Sequence, residues 1–232
     1  MNPFLMIQAT AQAVGADGVE GEIAVESIKL FDLMLKGGWI MFPLALLSVI
    51  SIWIFLERYF VLRRVSVEDL TFMNRIKDYI HDGKIDSALA LCRSNSHPIS
   101  RMIEKGISRI GRPLNDVSTA IENVGNLEVS RLEKGLPMLA TVAGGAPMIG
   151  FLGTVIGMIK SFWEMSNAGN NIMVDQLAGG IYTALVTTVT GLIVGITAYF
   201  AYNFLVARVE KVIFKMEART MEFMDILNEP AR

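Results

Sequence analysis

The sequence predicts an all-α membrane protein: three transmembrane helices and a helical domain outside the bilayer. Three observations predict it. Residues 39–56, 136–159 and 177–206 are apolar and hold no charged residue, and each is close to or above the length that crosses a hydrocarbon core of about 30 Å. The chain as a whole has a mean hydropathy of +0.44 with 52% apolar residues, too apolar for an ordinary soluble domain. No alternation of period two that would mark a strand occurs along it.

The remaining composition excludes function classes. A net charge of -2 gives no basic surface for nucleic acid. The single Cys92 excludes an internal disulfide and a thiolate metal cluster. His81 and His97 have no carboxylate or cysteine at ligand spacing, so no metal site is expected. There is no G-x-S-x-G, no phosphate-binding Gly-Lys-Ser/Thr loop and no H-E-x-x-H. The expectation is a protein that is not an enzyme and holds no cofactor.

Residues 1–38 form the first segment. Its opening, MNPFLMIQATAQA, lacks a basic start and has an apolar core of only four or five residues, so a retained segment is expected over a cleaved signal peptide. EIAVESIKLFDLMLK mixes apolar and charged residues as an amphipathic interfacial helix does, and Gly37-Gly38 end it. Residues 39–56 are the first span. Their small residues (Ala45, Ser48, Ser51) are few, which suits an outer, lipid-facing helix.

Residues 57–135 form a helical domain. Ser66 and Asp69 resemble a capping box opening a helix that ends near Asp82-Gly83. Further helices are expected over about 85–93 and 99–110, and from Leu114 onward. The last, with Glu122, Glu128, Arg131, Glu133 and Lys134, reads as a water-exposed stalk running unbroken into the second span, 136–159. Residues 160–176 are a short polar loop, 177–206 the third span and 207–232 a charged helical tail.

Eighteen of the twenty-one lysines and arginines lie in 57–135 and 207–232. The positive-inside rule makes that side cytoplasmic, with the N-terminus outside. The basic residues beside the first span also suit anionic lipid headgroups.

The second and third spans divide on a helical wheel. Gly150, Gly153, Thr154, Gly157 and Ser161 share one side of the second; Gly180, Thr183, Ala184, Thr187, Thr188, Gly191 and Gly195 share one side of the third, with bulky residues opposite. Small residues let another backbone approach, and threonines offer hydroxyls across a helix interface. Plain packing is one reading of these faces and an ion path the other. No span contains Asp, Glu, Lys, Arg or His, although a protein that moves ions through its own body normally shows one there. Hydroxyls cannot store a proton near neutral pH. Either no ion moves, or a partner brings the titratable group.

GFLGTVIGMIKSF (150–162) followed by LAGGIYTALVTTVTGLIVGITAYFAYN (177–203) resembles the paired motif of the MotA/TolQ/ExbB proton-channel family. Three spans with a large helical loop after the first are similar to the ExbB and TolQ branches, not the four-span MotA branch. The resemblance covers the chain from about Trp39 to the tail. It implies a bacterial inner-membrane subunit forming a pentamer around the helices of a single-span, ExbD-like partner whose aspartate carries the proton. Through a TonB-like protein the energy then serves outer-membrane uptake, or in a TolQ-like role the envelope.

The family's lumen-facing threonines map onto Thr154 and Thr188, and Thr183 and Thr187 are expected beside them. Gly150, Gly153, Gly157, Gly180, Ala184, Gly191 and Gly195 are expected to pack helices or face the partner. Many family members carry a glutamate in a G-I-x-E-A-L context; here Thr183 stands in its place, which moves proton carriage to the partner. Hydroxyls suit sodium as well, so the ion is open. The competing reading is a non-conducting homo-oligomeric scaffold or a small-solute exporter.

Overall fold

The computed structural model describes residues 37–66, 70–167 and 174–228. The expected amphipathic segment lies outside the described residues, as does part of the loop before the third span. Every regular element described is an α-helix: α1 (Met41–Ser66), α2 (Leu70–His81), α3 (Ile85–Ser94), α4 (Pro98–Ile107), α5 (Leu114–Glu133), α6 (Leu136–Asn167) and α7 (Val174–Asn228). The apolar stretches of α1, α6 and α7 are long enough to cross a membrane, and the chain is a membrane protein.

α1 outruns the expected span because nothing in ERYFVLRRV breaks a helix, and Arg63 and Arg64 suit its negative C-terminal end. Ser66 is its last residue. The Ser66 hydroxyl donates back to the Leu62 carbonyl at 2.8 Å, so it closes α1 and does not cap the next helix as the sequence suggested. Leu44, Ser51, Arg58 and Leu62 form its buried stripe. Phe42, Val49, Trp53 and Phe60 point away from the protein, and α1 is the least covered of the three spans.

The expected unbroken stalk is interrupted. α5 ends at Glu133, Gly135 turns the chain at φ +86°, and α6 restarts at Leu136. The cause is Pro137: in a continuous helix it could not donate to the Glu133 carbonyl and its ring would clash with the preceding turn, whereas a helix start tolerates it. Gly135 meets α1 closely, since a Cβ there would lie 3.2 Å from the Ile54 side chain.

This break exposes the last carbonyls of α5. Arg58 of α1 answers one, its Nη1 donating to the Arg131 carbonyl at 3.2 Å while Nη2 pairs with Glu57 at 3.0 Å. One turn earlier, Glu128 is buried and accepts from Arg101 of α4 at 2.5 Å and from Arg131 at 2.6 Å. Glu128 is therefore no stalk surface residue; its carboxylate joins two helices.

The tail is likewise no appendage. α7 is one helix of 55 residues, about 80 Å long at 1.5 Å per residue. From the last turn of the apolar stretch onward, Leu205, Val209, Val212, Met216, Phe223 and Ile226 are buried. Their spacing is a heptad stripe interrupted by Arg219. It packs on α2, α4 and α5, so residues 57–135 and the tail share one core. At its centre Phe223 lies against Gly106, where a Cβ would be 2.5 Å from the ring and 2.7 Å from Ile121.

Candidate functional site

α6 and α7 pack along most of the membrane stretch, and small residues set how closely. A Cβ on Gly191 would stand 2.7 Å from the Ala146 carbonyl oxygen and 2.8 Å from the Gly150 Cα; one on Gly150 would stand 2.9 Å from the Thr187 carbonyl oxygen. Here backbone meets backbone. Gly157 faces Ala184, with 2.9 Å left for a Cβ, Gly153 faces the Thr187 side chain, and Gly180 faces Ser161. Gly195 takes the Pro147 ring, 2.5 Å from where its Cβ would be. Pro147 has no N–H for the Ala143 carbonyl, and that carbonyl points at Gly195, 3.0 Å from the same Cβ position. The small faces thus close on each other within one chain.

The threonines separate into distinct places. Thr187 is 1% exposed, inside the seam; its hydroxyl lies 2.7 Å from the Ala184 carbonyl and 3.4 Å from that of Gly150. Thr188 is half-buried and donates across the seam to Gly150 at 3.2 Å. Thr154, also half-buried, donates within α6 to Phe151 at 2.5 Å. Each hydroxyl proton is held by a carbonyl, which leaves the oxygen's lone pairs to accept.

The contacts also fix which flank each occupies. Pro147 on Gly195 marks one edge of the seam, and Gly153 on Thr187 marks the other. At about 100° per residue, Thr154 and Thr188 both fall toward the Pro147–Gly195 edge, whereas Thr183 falls toward the opposite edge. That opposite flank of α7 also carries Val186, which is buried, and Phe204, whose ring stacks on Tyr59 and packs on Phe55 of α1. Arg208 lies over Tyr59 and Phe204, 5.1 and 4.8 Å from the ring centres. α1 therefore packs on that flank at the level of Phe204 and Arg208, whereas Thr154 and Thr188 lie on the other, open flank. One chain does not gather all four threonines on one surface.

What the wheel missed was the role of carbonyls, above all that of Gly150, and the burial of Val186 on the bulky half. The Glu128–Arg101–Arg131 cluster was also missed, as was the break after α5, which Gly135 two residues before Pro137 signalled. Among the described residues no cluster of three potential metal ligands occurs.

Comparison with known proteins follows this geometry. Residues 94–218 match the model of the MotA/TolQ/ExbB proton channel family. The chain is 30% identical to a putative biopolymer transport protein ExbB homolog of Methanothermobacter thermautotrophicus, over 81% of this chain and 67% of that one. It is 32% identical to the Tol-Pal system protein TolQ of Haemophilus influenzae, over 79% of this chain and 85% of that one. It is 38% identical to the biopolymer transport protein ExbB of Aquifex aeolicus, over 47% of this chain and 74% of that one. The matched segment holds both seam-forming spans together with α4 and α5.

Proposed function

This chain belongs to the MotA/TolQ/ExbB proton channel family, and from that premise we propose that it is an inner-membrane subunit of a proton-driven motor. In this reading it assembles as a homo-oligomer, a pentamer, around an ExbD-like single-span partner. The partner's aspartate carries the proton, and the output drives TonB-dependent uptake. The N-terminus lies in the periplasm and the C-terminus in the cytoplasm.

One observation carries the reading. The spans hold no Asp, Glu, Lys, Arg or His, yet Thr154 and Thr188 stand half-buried on the open flank with acceptor lone pairs available. A neutral carboxylic acid arriving there from a partner helix could donate to either oxygen, while its ionised form could not. The flank therefore distinguishes the two protonation states of a partner aspartate. Thr183 and Thr187 serve packing in this scheme, Thr187 by fixing the seam.

The test is proton uptake by membranes that contain the full chain and its aspartate-bearing neighbour. Thr188→Val and Thr154→Val should each lower uptake about tenfold or more, the cost of losing one hydrogen bond to an otherwise unpaired group. Wild-type uptake in both variants would remove the assigned role. A Tol-Pal role is the second reading, favoured by the extent of the TolQ match. Rescue of a strain lacking one system but not the other separates the two.

A further inference from the structure

α5 carries two grooves on opposite faces. One, of about 510 Å³, lies between α5 and α7; Glu122 and Glu217 line it over a floor that includes Met102 and Met216. The other, of about 530 Å³, lies between α5 and α4; Lys105 and Arg109 line it, with Leu127 at its edge. Asp116 also borders the second groove, but it sits in the first turn of α5, where the helix end favours an anion.

Glu122, Glu217, Lys105 and Arg109 make no side-chain ion pair among the described residues, although nearby charges such as Arg219 and Glu222 do. Apolar residues stand exposed at the rims: Leu127 at 62% on the basic side, and Met221 at 64% and Phe214 at 71% on the acidic side. Large exposed apolar side chains on a charged domain mark a surface that is covered in use.

We propose that the two faces bind each other between copies of this chain: the Glu122–Glu217 groove of one copy receives the Lys105–Arg109 face of the next. This rests on the oligomeric reading above. Opposite charges meet, and Leu127 comes to the Met221 and Phe214 rim. Different patches on the two partners make a heterologous contact, which builds either a closed ring or an open filament. Copies held in one membrane share orientation and depth, so only rotation about the membrane normal relates them. The grooves occupy the same turns of α5, 118–129 and 116–127. Neighbours therefore meet at one depth, and the contact closes into a ring.

The test uses the full chain in membranes, co-expressed with its neighbour, in a Cys92→Ser background. Leu127→Cys and Met221→Cys are placed on separately tagged copies and treated with a short bis-maleimide. The expected result is cross-linking when both variants are present and none when either is alone. Leu127→Cys linking to itself would indicate a two-fold contact and overturn the proposal, as would no linking in an assembly of intact mass; those results leave the proposed function standing. A chain that does not assemble overturns both. In a second measurement, Lys105→Glu with Arg109→Glu should reduce the ring at least about tenfold through like-charge opposition. Adding Glu122→Lys and Glu217→Lys should restore it. Failure of both double variants and of their combination alike, with each chain folded, would also overturn the pairing.

Discussion

Gly150 and Gly191 touch through their backbones: the Gly191 Cβ position lies 2.8 Å from the Gly150 Cα and 3.1 Å from its nitrogen. Neither contact can be relieved by turning a side chain, so the distance between α6 and α7 is fixed where they cross.

Substitution at these glycines should therefore depend on what each faces. Gly150→Ala and Gly191→Ala press on backbone and should lower the thermal midpoint in detergent and abolish activity, at a cost of roughly 1–3 kcal/mol or more. Gly144 and Gly145 have open space around the Cβ position. Alanine there should be neutral or raise stability by up to about 1 kcal/mol. Equal effects at all four positions would contradict the seam.

The seam threonines should differ in the same experiment. Thr187→Val keeps the shape but leaves its buried place without a hydroxyl, so it should lower stability by about 1 kcal/mol. Thr188→Val and Thr154→Val should leave the thermal midpoint near wild type and act on proton uptake. A stability loss at Thr188 as large as at Thr187 would place both in packing.

Much of this was legible in the sequence. The three spans follow from length and apolarity, and the small faces of α6 and α7 from period 3.6. The resemblance singled out Thr154 and Thr188, and the structure puts both on one flank. A wheel shows one helix at a time, so it could not tell that the two small faces would close on each other and bury Thr187. Nor could it tell that Phe55 and Tyr59 of α1 would pack on Phe204. Glu128 looked like solvent-facing charge because its partner Arg101 is on another helix, 27 positions away.

That carboxylate gives a further prediction. Glu128→Ala removes the buried anion that joins Arg101 to Arg131, whose part-exposed guanidinium groups then lose their shared acceptor. It should destabilise the domain by roughly 1–3 kcal/mol, read as a lower thermal midpoint or faster proteolysis. Glu128→Gln, which keeps one acceptor oxygen, should lie between Ala and wild type.

Gly106→Val tests the docking of α7. The three added carbons would collide with Phe223 and Ile121, and overpacking of that kind costs roughly 1–3 kcal/mol. Limited proteolysis should then cut α7 below the membrane. Phe223→Leu in the same chain should restore part of the loss.

Cys92 is 1% exposed, and burial pushes its thiol up to about 12. The folded protein should resist iodoacetamide at pH 8 and react once denatured. An unfolded thiol ionises near its ordinary value of 9.0. Between that pH and 12 the unfolded state binds fewer protons, so stability from this group falls as pH rises and is unaffected below. Rapid alkylation of the native chain at pH 8 would contradict the burial.

The helix that closes the seam also decides when the rest of the molecule can finish folding. Helices α2 to α5 leave the ribosome before the second and third spans exist, with the place beside Gly106 and Ile121 empty. The residue that fills it, Phe223, is made after the third span and belongs to the helix that has just crossed the membrane. α7 reaches that place only if it was inserted with its C-terminal half on the same side as α5. A third span inserted the wrong way round leaves the soluble domain with an open core, exposed to the proteases of that compartment. Completion of the fold outside the membrane thus certifies the topology of the membrane half.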